Sequence, residues 1–90
     1  MTFETVTSLA PAEVLARAKE FFALRVPMVA AYPEKEGPTY VVLRGQGGEE
    51  VAIAAMPVEG GTRVRGSTLF FDQPLDRFLS TLPSSGGAAA

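Results

Sequence analysis

Three runs of alternating side chains, divided by two glycine-rich turns, set the tightest limit on what this chain can become. Thr39–Arg44, Glu50–Met56 and Thr62–Phe71 are rich in β-branched and aromatic residues. Gly45-Gln46-Gly47-Gly48 and Glu59-Gly60-Gly61-Thr62 separate them. Runs of this kind form hairpins, because glycine supplies the positive φ that tight turns need. A tight turn at Gln46-Gly47 predicts Arg44 opposite Glu49, Val42 opposite Val51 and Tyr40 opposite Ile53. A two-residue turn at Gly60-Gly61 predicts Val58 opposite Arg63, Ala55 opposite Gly66, Ile53 opposite Thr68 and Val51 opposite Phe70. Both pairings put Tyr40, Val42, Val51, Ile53, Ala55, Val64 and Phe70 on one face, the natural seat for a helix. The other face then carries Val41, Leu43, Ala52, Ala54, Met56 and Leu69, interspersed with Glu50, Arg63, Arg65 and Ser67.

The flanking segments supply the helices. Thr2–Thr7 suits a strand. Ala10-Pro11-Ala12-Glu13 then opens a helix, with Pro11 in the first turn and Glu13 at the positive end of the helix dipole. Val14, Leu15, Ala18, Phe21, Phe22 and the stem of Arg25 form its apolar face, Glu13 and Arg17 pair on the other side, and Pro27 closes it. Met28–Tyr32 predicts a short strand, and Pro33-Glu34-Lys35-Glu36-Gly37-Pro38 a polar turn. Asp72 is a cap candidate for a second helix, whose apolar stripe is Leu75, Phe78, Leu79 and Leu82 before Pro83. The expected fold is α+β, an antiparallel sheet of about five strands in the order β-α-β-β-β-β-α with helices packed on one face. One domain spans residues 2–83, and 84–90, which carry no large side chain, form a flexible C-terminal tail.

At 90 residues the chain has room for a single core. It has no cysteine and no histidine, which removes disulfides, thiolate chemistry and the commonest general base and metal ligand. A net charge of −2 and eight scattered basic residues argue against nucleic acid. No apolar run approaches the ~20 residues of a membrane-spanning helix. The N-terminus lacks a secretory pattern, so a cytoplasmic location is expected.

No catalytic set stands out. Glu49 and Glu50 are adjacent in a strand and point to opposite faces. Glu34 and Glu36 flank a proline-rich turn and are most simply solvated. Thr5, Ser67 and Thr68 have no histidine to activate them, and nothing places Lys19 or Lys35 near a serine. The glycine loop lacks the Lys-Ser/Thr of a phosphate loop and precedes no helix. No run of acids has calcium-loop spacing. Arg63 and Arg65 share a strand face and are the candidate contact for an anion or polar group, though a solvated face explains them too. Phe71 is core or lines a groove, and Met28 and Met56 are adaptable gap-fillers.

A strand, then Ala10-Pro11-Ala12-Glu13 opening a helix, then a meander whose hairpin Gly60-Gly61-Thr62-Arg63-Val64-Arg65 runs into Leu75–Leu82, resembles the helix-grip proteins. These are the START and Bet v1-like (polyketide cyclase-like) domains. The resemblance spans most of residues 2–82, though the chain is shorter than such domains and lacks strands and the long grip helix. It implies an apolar small-molecule ligand held between sheet and helices.

The residues themselves point first to a non-catalytic module without cofactor or metal. It is expected to self-associate as a homodimer through Val41, Leu43, Ala52, Ala54, Met56 and Leu69, because a solvated sheet face is more polar than this one.

Overall fold

The computed structural model describes residues 2–24 and 30–84. Arg25, Pro27, Met28 and tail residues 85–90, to which the sequence assigns roles above, lie outside the described residues. Strand β1 (Thr2–Thr7) leads into helix α1 (Pro11–Leu24), followed by β2 (Ala31–Gly37), β3 (Tyr40–Gly45), β4 (Glu50–Val58), β5 (Gly61–Thr68) and helix α2 (Asp72–Ser80). The strands form one antiparallel sheet in the order β1-β5-β4-β3-β2. The two edge strands therefore run parallel, and α1 carries the chain from one edge to the other. The α+β architecture matches the expected order.

Both helices lie on one face of the sheet, α1 over β2, β3 and β4, and α2 over β1 and β5. The Ala10 carbonyl accepts from the Glu13 and Val14 N–H groups, so Pro11 occupies the first helical position, where its missing N–H costs nothing. Val14, Leu15, Ala18, Phe21 and Phe22 are buried along α1, and Leu75, Phe78 and Leu79 along α2, as their spacing predicts. Phe21, Phe22, Phe71 and Phe78 meet between helices and sheet with ring centroids 5.4–6.2 Å apart.

Two register details change which side chains face the core. Between β3 and β4 the Gly45 N–H donates to the Glu49 carbonyl and the Gly48 N–H to the Gly45 carbonyl, with Gly48 at φ +91°. This is a three-residue connection with a left-handed third residue, not the two-residue turn expected. The extra residue pairs Leu43 with Val51 and Val41 with Ile53. One residue of slip reverses the faces of β3. Val41 and Leu43 are thus fully buried, while Tyr40 and Val42 lie on the outer face. The β4–β5 connection turns at Glu59-Gly60, with Gly60 at φ +86°. It differs from the expected register by two residues, which preserves parity and keeps Val51, Ile53, Ala55 and Val64 inside.

The second detail ends β5 early. The Thr68 hydroxyl donates to the Glu50 carbonyl at 2.9 Å and accepts from the Phe71 N–H at 3.1 Å. The bend this holds puts Phe71 in the core at 3% exposure and leaves Leu69 and Phe70 at 79% and 74%. Phe70, expected inside, is a surface residue. The Phe71 carbonyl accepts the first α2 bond from Leu75, so Phe71 is the N-cap and Asp72 lies in the first turn rather than capping.

At the far edge, the Pro33–Gly37 segment expected as a turn is strand. An edge strand tolerates Pro33, whose missing N–H need not bond, and the register shift between Pro33 and Lys35 leaves Glu34 as a bulge.

Candidate functional site

With the faces corrected, the outer side of the sheet presents rows of aligned side chains. Tyr40, Ala54 and Arg65 share one row, and Val42, Ala52 and Ser67 the next, while Met56 faces Arg63 and Arg44 faces Glu50. The centre is apolar and built from small residues, and the charges stand around it. Of the six interface residues expected from sequence, this face keeps Ala52, Ala54 and Met56. Leu69 borders it beyond the strand end, and Val41 and Leu43 belong to the core. Sequence reasoning missed Tyr40, Val42 and Phe70, all of which are presented outward or at the rim. The signals for them were the third glycine of Gly45-Gln46-Gly47-Gly48, which lengthens the turn, and Thr68, whose hydroxyl breaks the strand.

Two shallow depressions adjoin on this face. One of about 200 Å³ is lined by Tyr40, Val42, Ala52, Ala54, Arg65 and Ser67, with the strands at Val41 and Ile53 beneath. The other, about 270 Å³, is lined by Arg44, Gly48, Glu50, Ala52, Ser67, Thr68, Leu69 and Phe70. Ala52 and Ser67 belong to both, so together they form one trough along β4 and β5.

The charged rim is unevenly paired. Arg44 forms a two-pronged ion pair with Glu34, Nε to Oε2 at 3.0 Å and Nη2 to Oε1 at 2.9 Å, and lies 3.7 Å from Glu50. The hydrogen bond from the Arg44 guanidinium holds the Glu34 carboxyl below its ordinary pKa, and Glu34 in turn raises that of Arg44. Arg63 approaches Glu4 at 3.6 Å. Arg65 forms no ion pair among the described residues, although Glu4, the acid that Arg63 approaches, is its cross-strand neighbour on β1, and its guanidinium stands beside the apolar depression. Arg63 and Arg65 thus share a face and flank one carboxylate, Glu4, which lies within ion-pair distance of Arg63 and not of Arg65.

Two of the other polar candidates have structural partners. The Glu49 carboxylate accepts from the Gly47 N–H, and Glu36 holds Lys19 at 2.8 Å. Among the described residues no three carboxylates gather as a metal site. A further cleft, about 390 Å³, opens between α1 and α2 against Arg17, Glu20, Phe21, Phe78 and Thr81. Its Arg17 is engaged by Glu13 at 3.1 Å. No helix among the described residues is long and apolar enough to cross a membrane. Comparison with family models, curated proteins and solved structures found no match to this chain.

Proposed function

We propose that this chain is a non-catalytic interaction module that pairs with a second copy of itself through the outer face of its sheet. The observation that carries the reading is the apolar surface concentrated there. Leu69, Phe70, Met56 and Tyr40 are 79%, 74%, 51% and 42% exposed. At about 200 Å² for each such side chain they offer roughly 500 Å² to water. A standard interface buries about 800 Å² per partner. With a little over half of that apolar, it needs about 450 Å². The patch supplies that amount on one side of a domain whose other side is already covered by helices.

Ala54 lies at the centre of the patch and outside the core, so Ala54→Asp tests the reading without opening a cavity. Analytical ultracentrifugation is expected to show a dimer for the parent and a monomer for Ala54→Asp, with matching circular dichroism. Ala12→Asp, on the exposed side of α1, should stay dimeric. A parent that sediments as a monomer, or an Ala54→Asp variant as dimeric as the parent, overturns the reading.

A small apolar ligand is the second reading, and the 200 Å³ depression is the observation in its favour. Small-molecule sites usually enclose about 300–1,000 Å³. The depression is smaller and open, and the cleft of about 390 Å³ between α1 and α2 is lined largely by the polar Arg17, Glu20 and Thr81, so self-association is the better supported. Native mass spectrometry of the purified protein would reveal a retained ligand.

A further inference from the structure

We infer that the two copies lock reciprocally, with Leu69 and Phe70 of each seated in the depression around Ala52 and Ala54 of the other. This rests on the self-association reading and gives it a docking mode. Leu69 and Phe70 form a knob: adjacent, large, apolar, and held outward because Thr68 fixes the bend that sends Phe71 inward. The depression is its counterpart, with a floor of two alanines and a wall formed by Tyr40 and Arg65.

Arg65 supplies the chemical complement. A guanidinium that is not ion-paired, beside an apolar hollow, is suited to lie over an incoming aromatic ring, and Phe70 presents one. Position supplies the symmetry. The knob follows β5 at the row of Glu50, since Thr68 pairs with Val51. The depression centres between Ala52 and Ala54, three residues along the strand and so about 10 Å away. A two-fold axis between the stacked faces, crossing the strands midway, places each knob on the other copy's depression. Such a contact uses both complementary surfaces at once and closes at two copies, leaving no unfilled depression to propagate a chain.

The test uses the absence of native cysteine. Phe70→Cys and Ala54→Cys are made separately, mixed, and treated with a short bismaleimide. The mixture should give a cross-linked heterodimer, and Phe70→Cys mixed with Ala12→Cys, whose residue is exposed on the helix side, should give little. Phe70→Ala, which removes an exposed side chain, should raise the dimer Kd at least ~30-fold, as loss of a central aromatic anchor does. A dimeric parent dissociated by Ala54→Asp, but with an unchanged Kd in Phe70→Ala or no excess cross-link in the mixture, overturns the reciprocal lock and leaves the face as the interface. A monomeric parent overturns both.

Discussion

With φ at +91°, Gly48 holds a backbone conformation that costs an L-side chain about 1–2 kcal/mol. A Cβ added there would meet nothing within 4 Å, so the penalty is conformational and not steric. Gly48→Ala should therefore lower stability by about 1 kcal/mol in urea unfolding, and Gly48→Asn by less, because asparagine tolerates this region. Equal midpoints for Gly48→Ala and parent would mean that the loop does not depend on the left-handed residue. The same residue illustrates what can be read from a single chain. Four residues with three glycines announce a turn, but whether the left-handed residue is Gly47 or Gly48 is a matter of one position. On that position hangs whether Val41 or Val42 is buried. Thr68 acts similarly: as a strand residue it is unexceptional, and its second role emerges only when the Phe71 N–H comes within reach of its hydroxyl.

The elements were legible where periodicity is strong. The apolar face of α1 and the stripe of α2 follow from spacing alone, and β4 and β5 keep their expected buried faces as far as Thr68, beyond which Phe70 turns outward. Strand β2 was legible only at its start, Ala31 and Tyr32, because Pro33 and three consecutive charged residues belong equally to turns and to exposed edge strands. How α2 meets the sheet is also hidden in the sequence, and it turns on a missing side chain. Gly66 faces α2, and a Cβ there would come 2.5 Å from Leu75 Cδ1, with Leu75 fully buried. Gly66→Ala should cost about 1–3 kcal/mol by overpacking. Leu75→Ala alone should cost about 2–5 kcal/mol. Combined, they should cost less than their sum by at least ~0.5 kcal/mol, because each relieves the other. Strict additivity in chemical denaturation would show that the contact does not limit the approach of α2.

At the scale of the whole molecule, one sheet face is closed by two helices and the other is open, with its largest apolar side chains at the rim. If that open face is completed by a second copy, folding and association are linked and stability depends on concentration. A hundredfold rise in protein concentration stabilises a ligand-like partner equilibrium by about 2.7 kcal/mol. Shared between the two chains of a dimer, that is about 5–10 °C in Tm for a domain of this size. Calorimetric or fluorescence melts across such a range should show Tm rising for the parent and staying level for Ala54→Asp. A parent Tm independent of concentration would mean that its folded unit is the single chain.

Taken by itself, the sequence determined the α+β class, the order of elements, the helix faces and the absence of cysteine and histidine chemistry. Each of these is local, a matter of composition or of spacing within one segment. Tertiary structure decided which face of β3 is buried, where β5 stops, and therefore that the exposed surface consists of Tyr40, Val42, Ala52, Ala54 and Met56 with Leu69 and Phe70 beside them. The reason is the two-residue period of a strand. Alternation within a strand defines two faces, but only its register with a neighbour says which one is inside, and a single residue in a connecting loop reverses the answer.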